Sequence, residues 1–139
     1  MRNYRGKRKD NGEWAYGWYA KIAHKHLIIT DNSKIATGNN WWFRIEDFVE
    51  VLPESVGQST GLKDKDGVEI YEGDVLSPGK REVLFGVYDT QFEQGNGWHT
   101  RSHEAGAFPA PFSFSERQAE VSEVIGNATD NPGLLEGGQ

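Results

Sequence analysis

The sequence predicts an all-β, or β-dominated, fold: a small barrel or a pair of packed sheets with a short C-terminal helical turn. Short runs rich in aromatic and β-branched residues recur along the 139-residue chain and are separated by Gly, Asn and Asp. No apolar stripe with a helical period extends beyond about two turns. Only 36% of the residues are hydrophobic, but 5 Trp, 5 Tyr and 7 Phe provide enough large side chains for a core.

The first long strand is predicted over residues 13–23. Trp14, Tyr16 and Trp18 share one face at a period of two residues, and the intervening residues lie on the other face. A buried strand face shows the same spacing, so we interpret this Trp/Tyr stripe as part of the core.

Two shorter strands are predicted next. Residues 27–30 are rich in β-branched side chains and run into turn-forming residues at 30–33, and residues 38–40 form another turn. Residues 48–52 form the following strand, which ends at Pro53 because proline has no amide proton to donate to a ladder.

The segment 56–76 carries the densest turn signals in the chain. Strands are predicted over 56–62, 68–71 and 75–76, and the Asp66-Gly67 pair favours a tight hairpin between the first two.

A longer strand is predicted over residues 82–92. Val83, Phe85 and Val87 alternate along it and therefore share one face. The following Asn96-Gly97 pair is interpreted as a turn.

The last part of the chain mixes irregular and regular elements. Residues 106–115 are predicted to form a long loop, 115–118 a turn of helix and 121–125 a last strand. Asn131-Pro132 resembles a helix start, with Asn131 as the N-cap and Pro132 at the first helical position.

Length and composition predict a single domain over residues 1–139. The alternative is a subdivision into an N-terminal β segment, 1–53, and a barrel-like part, 54–139. The chain has no Cys, which excludes disulfides, a thiolate nucleophile and Cys-ligated zinc. No apolar run approaches the ~18 residues that a membrane span needs, so we expect a soluble, cytoplasmic protein.

Charge is distributed unevenly along the chain. Residues 1–44 hold nine Lys and Arg against three acids, a net charge of +6, whereas residues 45–139 hold six against eighteen, a net charge of −12. The basic end could bind phosphate, bind the acidic part of another subunit in an oligomer, or be a solvated tail. The sequence leaves these three hypotheses open.

Three stretches of sequence are distinctive. They run from Arg5-Gly6-Lys7-Arg8 to Tyr16-Gly17-Trp18, from Glu54-Ser55-Val56-Gly57-Gln58 through Thr60-Gly61-Leu62-Lys63-Asp64 to Ile70-Tyr71-Glu72-Gly73-Asp74-Val75, and from Val124-Ile125-Gly126-Asn127 through Asn131-Pro132 to Leu134-Leu135. In this order they resemble the YopX family of phage and prophage proteins, whereas residues 78–120 carry no motif that we can place. The resemblance implies a YopX-like β fold and a phage or prophage origin, is compatible with multi-subunit assembly, and supplies no catalytic residue.

The acidic run that begins at Asp64 does not match a calcium loop. Counted from Asp64, Val68 stands where an EF-hand needs an oxygen ligand and Glu69 where it needs glycine. Two acids before a glycine are more typical of a hairpin turn with a solvated tip.

The four His residues offer two incomplete metal patterns. His24 and His26 alternate on a predicted strand, whereas His99 and His103 would share a face only in a helix, and their segment resembles a strand. We interpret all four as residues of a half-exposed sheet, and we predict no metal site and no cofactor.

The chain offers no nucleophile elbow and no Gly-rich phosphate loop, so we predict that it is not an enzyme. The candidate nucleic-acid-binding residues are the basic Arg5, Lys7, Arg8 and Lys9, which adjoin an aromatic segment. We predict an accessory protein of the host-cell cytoplasm that acts by binding, with nucleic acid as its partner. The alternative is a protein-interaction or host-inhibitor module that forms a homo-oligomer, and a metal-dependent enzyme is a distant third hypothesis.

Overall fold

A computed structural model of the chain describes residues 4–30, 35–37, 43–45, 48–89, 94–104 and 112–135. Most of these residues lie in antiparallel strands and few in helices, which confirms the predicted β-dominated fold. The strands are β1 (Tyr4–Lys7), β2 (Trp14–Ile22), β3 (Lys25–Thr30), β4 (Ile35–Thr37), β5 (Phe43–Ile45), β6 (Phe48–Glu50), β7 (Gly57–Lys63), β8 (Glu69–Tyr71), β9 (Asp74–Ser77), β10 (Arg81–Asp89), β11 (Gln94–Ser102), β12 (Phe112–Ser113) and β13 (Glu123–Asn127). The helices are α1 (Glu116–Glu120) and two 3-10 helices, Pro53–Ser55 and Pro132–Leu135.

Contacts within the chain define two compact units, residues 1–58 and 59–139. The boundary lies inside β7, directly after Gln58, whereas the subdivision considered from the sequence lies after residue 53. Each unit contains its own cluster of buried apolar side chains.

The first unit contains a sheet in the order β6-β3-β2-β1-β7, and β4 pairs separately with β5. The strands predicted over 13–23 and 27–30 correspond to β2 and β3, and all of β3 pairs with the part of β2 from Gly17 to Ile22. The predicted turn at 38–40 and most of the one at 30–33 lie outside the described residues. The strand predicted over 48–52 is β6, and a 3-10 helix begins at Pro53.

The core face of this sheet carries small residues and not the Trp/Tyr stripe. Its buried cluster is Ala15, Ile28 and Val51, whereas Trp18 on the opposite face is 52% exposed. The interpretation of the stripe as core is therefore wrong. The close contact that fixes the inward face is at Gly6, where an added Cβ would lie 2.9 Å from the Val51 side chain, and Tyr4 and Tyr19 pack against the same buried cluster.

A two-residue turn at Ala23 and His24 joins β2 to β3, and both residues have positive φ values, 52° and 66°. Such turns match the right-handed twist of a hairpin, although Asn and Gly usually occupy them. The prediction that His24 and His26 alternate on one strand is therefore wrong. His24 is exposed in the turn, while His26 lies in β3 and its Nδ1 shares a hydrogen bond with the Tyr19 hydroxyl.

The second unit contains a sheet in the order β12-β11-β10-β9-β13, and the later residues of β7 pair with β8. Its buried cluster comprises side chains from three of these elements, from α1 and from the segment before it: Ile70, Leu76, Val83, Phe114 and Ala119. Each of these elements contributes one or two side chains to the common core, and burial of those side chains stabilises the element.

Strand β10 has the predicted alternating face, but only its first part is buried. Val83 is fully buried, whereas Phe85 is 51% and Val87 79% exposed. The prediction of a turn at Asn96-Gly97 is wrong, because both residues lie inside β11, with Gly97 opposite Gly86 of β10. Asn-Gly is a local signal, and the pairing with β10 along nine residues overrides it.

The short helices begin as the sequence indicates. Ser115 and Gln118 form a reciprocal capping box at the start of α1, and a 3-10 helix begins at Pro132. The Asn131 side chain accepts a hydrogen bond from the Asn127 amide and so reaches back to β13. Residues 106–111 of the predicted loop lie outside the described residues.

None of the helices in the described part of the chain is long and apolar enough to cross a membrane.

Candidate nucleic-acid interface

Strand β1 places Arg5 and Lys7 on the face of the first unit's sheet that is opposite the core. Directly across the ladder lie Tyr16 and Trp14 of β2. The guanidinium carbon of Arg5 lies 4.6 Å, and Nζ of Lys7 5.6 Å, from the centroid of the Trp14 ring. Both cations are therefore within cation–π distance of one indole.

These two cations differ in how accessible they are. Arg5 is only 8% exposed, whereas Lys7 is half-buried. Arg5 thus belongs to the packing of the sheet, and its alkyl stem and guanidinium cover the Trp14 ring. Lys7 is the more solvent-accessible cation of the two.

Arg8 and Lys9 lie in the turn that follows β1, and each is paired with a carboxylate of the same unit. Arg8 donates two hydrogen bonds to Asp10, from Nε at 2.9 Å and from Nη2 at 2.7 Å. Lys9 Nζ lies 2.9 Å from Glu50 Oε2, and the Lys9 amide also donates to the Glu50 carbonyl. The hydrogen bond from Arg8 lowers the pKa of Asp10, and the hydrogen bond from Lys9 lowers the pKa of Glu50.

The structure therefore brings the four predicted basic residues into one strand and turn, but in different environments. Arg5 is buried, Lys7 is half-buried against Trp14, and Arg8 and Lys9 hold surface ion pairs. Surface ion pairs are weak and exchange readily with other charged partners. A phosphate could therefore replace Asp10 or Glu50 as the partner of these cations.

Sequence analysis did not single out Phe48, which the register of the sheet places beside the aromatic stripe. Trp18 of β2 pairs with Ile29 of β3, and Ile29 pairs in turn with Phe48 of β6. Residues directly opposite each other in a ladder point to the same side, so these three side chains form one row. Phe48 is 54% and Trp18 52% exposed.

We call the solvent-facing side of this sheet the outer face. Its members alternate with the core residues along the strands: Arg5, Lys7, Trp14, Tyr16, Trp18, Ala20, Ile22, Lys25, Leu27, Ile29, Phe48 and Glu50. A shallow groove at its β6 edge is lined by Arg8, Lys9, Asp10, Phe48, Val49 and Glu50. The groove joins the exposed Phe48 ring to both ion pairs. Only long-range strand pairing could reveal this neighbourhood, because Phe48 is far from Trp18 in sequence.

The acidic segment that begins at Asp64 is a structural turn. Asp64 is buried, its Oδ1 accepts hydrogen bonds from the Asp66 and Val68 amides at 2.8 and 2.9 Å, and its Oδ2 accepts one from Val124 at 3.0 Å. Burial alone would raise the pKa of Asp64, but the three backbone hydrogen bonds together outweigh it and lower the pKa. This carboxylate fixes the β7–β8 turn to the start of β13.

The second distinctive stretch, from Ile70 to Val75, is also a folding motif. Asp74 is buried, and its Oδ2 accepts a hydrogen bond from the Tyr71 amide at 2.8 Å. Gly73 between them has a φ of 92°, and its amide and carbonyl bond to Val83 and Ala128. The motif therefore makes a tight turn that connects three strands of the second unit.

The histidines do not converge on a metal site in the described part of the chain. His99 lies in β11, as predicted, with Nδ1 2.9 Å from the Gly97 carbonyl, and His103 Nε2 lies 3.0 Å from Glu82 Oε1. The helical spacing that His99 and His103 would need is absent, and no group of three possible ligands forms among the described residues.

Comparisons with known proteins place these features in a family. The family model described as "YopX protein" matches residues 3–136 and so runs through residues 78–120, where we recognise no motif. Among solved structures, protein EF1440 from Enterococcus faecalis is similar over 98% of this chain and 99% of its own, with 25% sequence identity and a TM-score of 0.51. No curated protein matches. The chain belongs to the YopX family.

Proposed function

We propose that this protein is a phage or prophage accessory protein that acts in the host cytoplasm by binding nucleic acid through the outer face. The observation that supports this proposal is the position of the aromatic stripe, which lies outside the core and beside Lys7. Solvent-exposed aromatic rings can stack on the bases of a nucleic acid, and neighbouring cations can bind its phosphates.

The charge of the first unit supports the same partner. Residues 1–58 hold nine Lys and Arg against seven acids, a net charge of +2, whereas residues 59–139 hold six against fourteen, a net charge of −8. A polyanion is therefore attracted to the first unit and repelled by the second. Because Arg8 and Lys9 are already paired, we expect moderate affinity with a clear dependence on salt.

The test is binding to labelled oligonucleotides between about 50 and 200 mM salt. We expect the wild-type affinity to fall steeply with salt because phosphate contacts release counterions. A triple variant, Lys7→Ala with Arg8→Ala and Lys9→Ala, should bind weakly and lower the salt slope by about 0.7 for each lost single-strand contact. Arg5 is left unchanged because it is buried against Trp14.

The control removes the same charge from the second unit at three exposed positions: Lys63→Ala, Lys65→Ala and Arg101→Ala. This variant should bind as tightly as the wild type or slightly more weakly. Equal losses in both triple variants would mean that only net charge matters. No binding of any oligonucleotide at low salt would reject the proposal.

A second candidate function, a protein-interaction or host-inhibitor module that forms a homo-oligomer, is favoured by a different observation. Phe85 and Val87 are exposed on one face of β10, and exposed apolar clusters often mark protein interfaces.

If this face is the interface of a homo-oligomer, light scattering should show an oligomer for the wild type and a smaller species for Phe85→Ser with Val87→Thr. Val121→Thr, a change at another exposed apolar residue, should leave the mass unchanged. A monomeric wild type would exclude the homo-oligomer.

A further inference from the structure

We infer that the outer face selects single-stranded over double-stranded nucleic acid, with Trp18 and Phe48 as the residues on which bases stack. This inference rests on the proposed function and specifies its ligand. The two aromatic side chains are each about half exposed and belong to one row across three paired strands. Their rings are therefore available to a ligand that exposes its own aromatic faces.

The residue between these two rings is apolar. Ile29 separates Trp18 from Phe48, which places the two rings roughly 10 Å apart by the spacing of neighbouring strands. The next row holds Ala20, the buried Leu27 and Glu50, which is paired with Lys9, and beyond this row Ile22 is 56% exposed. An extended strand of nucleotides can lie along such a surface with its bases against the sheet.

Cations border this apolar surface on two sides. Lys25 lies directly opposite Ile22 in the β2–β3 ladder, and the groove beside Phe48 contains Arg8 and Lys9, which are paired with the carboxylates of Asp10 and Glu50 in the same groove. Phosphates of a strand whose bases contact Trp18 and Phe48 would therefore meet positive charge at the border. Lys25 and the net charge of +2 on the first unit favour a polyanion over an apolar protein segment as the occupant.

A double helix fits the same surface poorly. Its base faces are stacked on each other inside the duplex, so it can offer only phosphates and groove edges to a sheet. Trp18, Ile22 and Phe48 would then stay in water or lose water without gaining a stacking partner. Single strands expose their bases and gain about 5- to 100-fold in affinity for each base that stacks on an aromatic side chain.

The experiment compares four labelled ligands by fluorescence anisotropy at one salt concentration. They are a thymidine single strand, an adenosine single strand, a duplex of the same length and a single strand of abasic sites, which keeps the phosphates and lacks the bases. We expect both base-bearing single strands to bind at least about 10-fold more tightly than the duplex or the abasic strand.

Two variants test the residues themselves. Trp18→Ala and Phe48→Ala should each weaken binding of the base-bearing strands by about 5- to 100-fold and leave the abasic strand unaffected. Trp18→Phe should retain most of the affinity, because an aromatic face is preserved. Val68→Ala is the control, since Val68 is 48% exposed, close to the value for Trp18, and lies in the second unit.

The outcomes separate this inference from the proposed function. Equal binding of single strands, duplex and abasic strand, with no effect of Trp18→Ala or Phe48→Ala, would overturn base stacking while the phosphate-binding proposal survives. Absence of binding to all four ligands would reject both. Binding lost equally in Val68→Ala would also overturn the assignment to the outer face.

Discussion

Replacing Gly17 by alanine is expected to lower the free energy of unfolding by about 3 kcal/mol or more. Gly17 lies in β2 between Tyr4 of β1 and Thr30 of β3. A Cβ at this position would lie 1.9 Å from the Ile29 carbonyl oxygen and 3.1 Å from the Thr30 Cα. These are backbone atoms of a paired strand, so no side chain can rotate away to make room.

The measurement is urea unfolding of wild type and Gly17→Ala, followed by far-ultraviolet circular dichroism. Gly133→Ala is the matched control, because a Cβ at Gly133 meets no atom within 4 Å, and we expect it to change stability by less than about 0.5 kcal/mol. If Gly17→Ala unfolded at the wild-type urea concentration, the close approach of β3 to Gly17 would not exist in solution.

Replacing Asp64 by alanine is expected to destabilise the second unit by about 3 kcal/mol, because three backbone amides lose a charged acceptor together. Asp64→Asn should cost less, about 1–3 kcal/mol. Asparagine keeps one carbonyl oxygen, but its NH₂ group must face an amide that needs an acceptor. Asp66→Asn is the control, since Asp66 is exposed in the same turn.

The effect of Asp64 should depend on pH in a defined direction. The folded-state pKa of Asp64 is lowered, so its contribution is fully present above the unfolded value of about 3.9 and is lost as the pH falls through the folded value. The difference in unfolding free energy between wild type and Asp64→Asn should therefore be constant near neutral pH and shrink in acid below about pH 4. A difference that stayed constant in acid would show that the Asp64 carboxylate gains nothing from its amide partners.

Local sequence patterns predicted most strands because each apolar run is bounded by residues that stop a strand, form a turn or cap a helix. Pro53 stops a strand where a 3-10 helix begins, and Asp66-Gly67 forms the turn between β7 and β8. The Ser115 capping box likewise starts α1 where the sequence predicts a helical turn. These effects act within a few residues and need no knowledge of the rest of the fold.

The errors arose where distant parts of the chain decide the outcome. The period of two residues correctly placed Trp18 and its sequence neighbours on opposite faces of β2. Which of the two faces points inward depended on Val51, which packs against Gly6. Asn96-Gly97 is held in a strand by its pairing with β10, and no local signal opposes a turn there. The row that joins Trp18 to Phe48 depends on two ladder registers, which spacing in the sequence does not determine.

The position of Gln58 matters to anyone who expresses the first unit alone. Gly57 and Gln58 pair with β1, and the Ser55 hydroxyl accepts a hydrogen bond from the Lys7 amide. A fragment that stops at residue 53 would keep the hydrogen bond from the Leu52 amide to the Lys7 carbonyl, but it would leave Tyr4 and Arg5 as an uncovered edge, which is a template for self-association. A fusion or split-protein design that keeps the chain through Gln58 retains this protection.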